Sequence, residues 1–163
     1  MKFMKTFTFV AVLAMAGPIL AHGNSTTPAT TAPTRADQTE WGIAGSPGKV
    51  RRTIALHMTD AMRFKPDRIE VREGDTVRLQ VSNRGRLLHE IVLGTQQTLA
   101  AHAGLMKKYP SMEHDEAHMA HVSSGRQGEI VWTFNRAGEF AYACLIPGHF
   151  EAGMVGTIVV RPR

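Results

Sequence analysis

Residues 129–144 read Glu-Ile-Val-Trp-Thr-Phe-Asn-Arg-Ala-Gly-Glu-Phe-Ala-Tyr-Ala-Cys. Ile130, Trp132 and Phe134 alternate with Glu129, Val131 and Thr133, the period of a strand with one buried face. Ala137-Gly138 marks a turn. Beyond it Phe140, Tyr142 and Cys144 share a parity opposite to Glu139, Ala141 and Ala143. Upstream, Val77, Leu79 and Val81 alternate in the same way with Thr76, Arg78 and Gln80. Further strands are predicted over 50–58, 69–72, 88–93 and 155–161. The turn signals Lys65-Pro66-Asp67, Glu73-Gly74-Asp75 and Asn83-Arg84-Gly85 punctuate them. About seven short strands at this spacing predict an all-β chain of two antiparallel sheets packed as a β-sandwich.

Working outward, the 163 residues fit one domain, and 43% apolar with 20% charged residues is a globular composition. Lys2 and Lys5 precede an apolar run over 7–16, then Gly17-Pro18 and Ile19-Leu20-Ala21. This pattern predicts a secretory signal over 1–21, cut after Ala21. The run is too short to span a bilayer, which takes about 20 residues, so no membrane span is expected in the mature chain, and the periplasm is its expected compartment. Without Lys2 and Lys5, 17 basic residues face 14 acidic ones, too mild and too scattered a balance for nucleic acid. Residues 22–48, rich in Thr, Ala, Pro, Ser and Gly, predict a flexible leader, with Trp41 as the residue able to dock. The domain is expected over 49–163, interrupted at about 96–125 by an insertion without alternation but with helix formers such as Leu99, Ala100, Leu105 and Met106. So long an interruption of a compact domain is usually functional.

One cysteine excludes a disulfide framework, a zinc site of cysteines alone and an iron–sulfur cluster held by this chain alone. That cysteine opens Cys144-Leu-Ile-Pro-Gly-His149-Phe-Glu-Ala-Gly-Met154, a C-x4-H-x4-M motif between two predicted strands, and His89 lies 55 residues upstream of it. One thiolate, two imidazoles and a thioether form the ligand set of a mononuclear copper electron-transfer site, with soft sulfurs for Cu(I) and imidazoles that accept both oxidation states. Cys144 ends an inward-facing row, Pro147-Gly148 turns His149 back toward it, and Met154 opens the last strand. Taken singly, each residue has a structural explanation; the argument is their joint occurrence.

These residues carry a resemblance. Met62-Arg-Phe-Lys-Pro-Asp67, Val71-Arg-Glu-Gly-Asp-Thr-Val77, Leu88-His-Glu-Ile-Val-Leu-Gly94 and Tyr142-Ala-Cys-Leu-Ile-Pro-Gly-His-Phe-Glu-Ala-Gly-Met-Val-Gly156 resemble the cupredoxins, the plastocyanin/azurin-like copper proteins. The likeness is specifically to an exported group associated with bacterial copper tolerance. The resemblance implies a Greek-key β-sandwich with a type 1 copper ion, His89, Cys144 and His149 as its equatorial ligands and Met154 as its axial one. Four residues separate Cys144 from His149, a longer loop than in plastocyanin-like members.

A second group of donors lies in the insertion: Met112, His114, His118, Met119 and His121. If residues 113–121 were helical, His114, His118 and His121 would share one face, a candidate accessory site for further copper ions. The expected function is that of an exported mononuclear copper-binding redox protein serving copper tolerance by binding or oxidising copper. The alternative is a soluble electron carrier between respiratory partners, with a redox partner such as a cytochrome. No enzyme activity is expected, because the paired His-x-His motifs of multicopper oxidases do not occur in the chain.

Overall fold

A computed structural model of the protein describes residues 38–110 and 115–163. The predicted signal over 1–21, most of the leader, and Met112 and His114 lie outside the described residues. Ten strands and one helix follow in chain order: β1 (Ile43–Ala44), β2 (Arg52–Thr59), β3 (Arg63–Lys65), β4 (Arg68–Arg72), β5 (Asp75–Asn83), β6 (His89–Gly94), α1 (Gln96–Lys108), β7 (Met119–Val122), β8 (Gln127–Phe134), β9 (Gly138–Ala143) and β10 (Val155–Arg161). They make two five-stranded sheets, β1-β8-β5-β2-β3 and β4-β10-β9-β6-β7.

The expected antiparallel arrangement needs correction. β2 runs parallel to β5 and β4 parallel to β10, because these neighbours within one sheet are not joined by hairpins and the chain between them passes through the other sheet. The other pairings are antiparallel. Period two holds where one face is dry: Val77, Leu79, Val81, Ile130, Trp132 and Phe134 are all buried in the core between the sheets. It fails on β6, where all six residues are buried. The physical reason is α1. Its side chains Leu99, Ala103 and Met106 pack with Val92, Ala141, Ala143 and Leu145 in a second apolar cluster, so β6 and β9 are covered on both faces. Thr95 caps the helix, its hydroxyl accepting from the Thr98 N–H at 3.1 Å. Among the described residues no helix is long and apolar enough to cross a membrane.

Two further expectations change. Residues 43–44, assigned to the leader by composition, pair with Thr133 and Trp132 of β8, and the Trp132 indole N–H donates to the Trp41 carbonyl at 3.0 Å. The helix expected over 113–121 is absent from its described part. His118 stands in a turn and Met119–Val122 is β7, paired antiparallel with β6, because the unpaired edge of β6 offers those residues backbone hydrogen bonds that a lone turn of helix cannot match.

β10 passes Tyr142 at Gly156, where a β-carbon would collide with the Tyr142 ring. That ring is fully buried and its hydroxyl donates to the Pro66 carbonyl at 2.7 Å, so it has nowhere to move. Gly156→Ala is therefore expected to cost roughly 1–3 kcal/mol or more in denaturant unfolding. Gly104→Ala, on an exposed part of α1 where a β-carbon meets nothing, should stabilise by about 0.5–1 kcal/mol. Equal effects would contradict this packing.

Candidate metal centre

Cys144 follows β9 and is fully buried. Because β9 is covered by α1 outside and by the opposite sheet inside, its sulfur emerges in a dry end of the sandwich. The chain then turns through Pro147-Gly148, with Gly148 at φ +91° and Gly153 at φ +85°, conformations that glycine adopts without strain. The loop closes on its own backbone: His149 N–H donates to Ile146 O at 2.9 Å, Met154 N–H to His149 O at 3.1 Å and Cys144 N–H to Met154 O at 3.0 Å. Two elements distant in sequence are thus held to one point. His149 Nδ1 stands 3.3 Å from Cys144 Sγ. His89, the first residue of β6, brings its ring within 5.0 Å of the His149 ring, centroid to centroid. One donor atom from each of His89, Cys144 and His149 lies within 4.8 Å of the other two.

The histidine tautomer follows from a neighbour that sequence spacing does not reveal. His89 is fully buried and its Nε2 lies 3.2 Å from Asp60 Oδ1. The Asp60 carboxylate also accepts from Arg86 N–H at 2.8 Å and Leu87 N–H at 3.2 Å. These backbone donors, Arg86 foremost, hold its acidity above the ordinary, so it is ionised and can only accept. In the neutral ring Nε2 of His89 then carries the proton, which leaves a lone pair on Nδ1. That Nδ1 is buried with no hydrogen-bond partner, a costly arrangement unless something electrophilic completes it. Carboxylate–histidine pairs of this kind orient metal-bound imidazoles and strengthen their donation. Gly85 makes room for Asp60, since a β-carbon there would strike the Asp60 carboxylate.

Electrostatics agree with a metal-ready pocket. Burial pushes the Cys144 thiol up to about 12, against opposing backbone hydrogen bonds from Glu90 and Ile146. Burial, then the nearby His89, lowers His149 below the ordinary histidine value. Without metal the sulfur keeps its proton and the imidazole lacks one. A cation that displaces the thiol proton would find one thiolate and two neutral imidazole nitrogens, a donor set that fits copper. Met154 is fully buried in the same core cluster as Cys144, and its backbone bonds to both Cys144 and His149.

The accessory group does not assemble as expected. His118 stacks edge-on to Trp41 and Trp132, at 5.5 and 6.1 Å between ring centroids. Met119 is buried in the cluster under α1. His121 Nε2 instead stands 2.8 Å from Oε2 of Glu90. His118 stands in the turn before β7 and His121 within that strand, so the two histidines meet different neighbours. Sequence reasoning missed Asp60 and Glu90. For Asp60 the spacing holds no signal. Glu90 was visible as the one charge inside the apolar run Leu88-His-Glu-Ile-Val-Leu93.

Comparison with known proteins places these observations. Residues 52–161 match the family model of copper-binding proteins of the plastocyanin/azurin family. The chain is 52% identical over 123 residues to the copper-resistant cuproprotein CopI of Rubrivivax gelatinosus, covering 76% of this chain and 74% of that one. It is 32% identical over 151 residues to CopI of Pseudomonas aeruginosa, covering 75% and 83%. Among solved structures, auracyanin B superposes with a TM-score of 0.62 at 21% identity, covering 79% of this chain and 100% of the other.

Two outcomes test the geometry. Asp60→Asn should raise the reduction potential of the copper-loaded protein and weaken copper binding by about 10–100-fold; an unchanged potential and affinity would detach Asp60 from the site. Copper(I) affinity, read by competition with a chelator, should rise about tenfold per pH unit between about pH 7 and 9. In that window the thiol still holds the proton that copper must displace, whereas His149 is already neutral. A flat profile would mean that Cys144 is not displaced.

Proposed function

Because the chain belongs to the plastocyanin/azurin family of copper-binding proteins, we propose that it is an exported, mononuclear copper redox protein that serves copper tolerance in the periplasm. The observation that carries the reading is the convergence of His89, Cys144 and His149. The similarity of the chain, over three quarters of its length, to proteins named for copper resistance supports the physiological role. Bound there, copper would supply a one-electron Cu(II)/Cu(I) couple. His89, Cys144 and His149 would hold the ion, with Met154 as a further donor.

The protein's own contribution is rigidity and dryness. Asp60 fixes the His89 ring, the loop hydrogen bonds fix His149, and the doubly covered β9 fixes Cys144. A pocket that cannot remodel between oxidation states reorganises little, so electrons enter and leave quickly. His149 is the ligand that reaches the outside: it lines a surface cavity with Leu87, Leu88, Ile146 and Pro147, whereas His89 and Cys144 are sealed. Copper oxidation or electron exchange would pass through this edge. We propose no enzymatic turnover beyond it.

A second reading, an electron carrier between respiratory partners, draws on Leu87 and Leu88, each 47% exposed beside that edge. Such an apolar rim would suit brief docking of a redox partner such as a cytochrome. The loop apolar residues add less to this rim: Leu145 is buried, and Ile146 and Phe150 are half-buried.

Cys144→Ser separates these ideas. It should abolish the visible thiolate-to-copper band, and in a strain lacking the native gene it should fail to restore growth on copper while the parent chain restores it. Restored tolerance by Cys144→Ser would remove the redox centre from copper tolerance. A respiratory defect with normal copper tolerance would favour the carrier.

A further inference from the structure

His121 and Glu90 face each other across two paired strands, register partners on β7 and β6, on the outer side of the sheet from the His89–Cys144–His149 centre. Glu90 is fully buried. One of its oxygens, Oε1, accepts from the Leu145 N–H at 2.8 Å, which pins the carboxylate. The other, Oε2, points to His121 Nε2 at 2.8 Å. The His121 side chain is 41% exposed. The pair opens on a cavity of about 1170 Å³, whose wall also includes Met106, Met119 and His149.

A buried carboxylate is not a device for stability. Apolar residues of like volume would serve the core as well, since desolvation offsets most of what an ion pair returns. The spacing of the two donors has another reading. Two ligand atoms each about 2.0 Å from one metal ion and at right angles to each other stand about 2.8 Å apart. An imidazole nitrogen with a carboxylate oxygen is a donor pair for Cu(II), and the thioethers in the cavity wall suit Cu(I). A carboxylate offers about four lone-pair sites, so Oε1 can keep its bond to Leu145 while Oε2 binds an ion.

We infer that Glu90 and His121 form a second copper site, taking Cu(II) in the cavity that also reaches His149. The inference rests on the copper reading of the first centre and deepens it. The ion binds between Oε2 of Glu90 and Nε2 of His121, and a proton carried on Nε2 leaves to solvent. The two sites share one mouth, so an ion caught at Glu90–His121 lies beside the only ligand of the first centre exposed to that cavity. This is a collecting position for a protein that takes up copper.

The test is titration of the full mature chain with Cu(II) alone, read by metal analysis, the visible band and electron paramagnetic resonance. The parent should bind one coloured equivalent and at least one colourless equivalent with the wide hyperfine splitting of a nitrogen–oxygen site. His121→Gln, a change at a half-exposed position, should lose one colourless equivalent and keep the coloured one. His102→Gln, on α1, should lose none. Glu90→Gln should reproduce His121→Gln, and if it fails to fold, His121→Gln decides alone. A His121→Gln protein that keeps every equivalent overturns the second site and leaves Glu90–His121 an ion pair only. A parent without colour overturns the first centre instead, which distinguishes the two failures.

Discussion

Burial of the Cys144 thiol is the constraint around which the rest of the structure is arranged. A thiol in a dry interior holds its proton far above the ordinary range, and only a strongly bound cation can displace it. To create that dryness the protein covers β9 on two sides: the opposite sheet closes the inner face and α1 closes the outer one. The same covering explains why β6 is buried throughout and why the long interruption between β6 and β7 begins with a helix. The insertion is thus a wall of the metal centre as well as a connection.

Once the sulfur is sealed, the imidazoles must reach it in the right form. Asp60 does this for His89 from a turn after β2, and the short loop from Cys144 to Met154 does it for His149 through its own backbone. The two histidines differ in environment. His89 is wholly enclosed and held by a carboxylate, whereas His149 lies at the surface cavity. One ligand anchors the site and the other connects it to the outside. Glu90 links the centre to the outer cluster, since its backbone N–H points at the Cys144 sulfur while its carboxylate turns to Leu145 and His121.

Much of this was legible in the sequence wherever a strand had one wet face. Val77, Leu79, Val81, Ile130, Trp132 and Phe134 announced their strands by parity alone, and the Cys144–Met154 motif announced its chemistry by residue type and spacing. What stayed hidden has a common cause, contact between segments far apart in the chain. Parallel pairing of β2 with β5 leaves no turn signature. Asp60 meets His89 across 29 residues. The stretch before Val122 carries histidines at helical spacing, but the free edge of β6 drew Met119–Val122 into a strand, which sets His121 against Glu90 and leaves His118 in the turn before it. Short polar segments take the structure their neighbours offer.

The central claim is that residues 89, 144 and 149 grip one copper ion through two nitrogens and a sulfur. X-ray absorption at the copper edge of the protein loaded with one equivalent tests it most directly. A single short copper–sulfur distance with two imidazole nitrogens in the same shell is the predicted result. A shell of nitrogen and oxygen alone, with no sulfur at bonding distance, would contradict it.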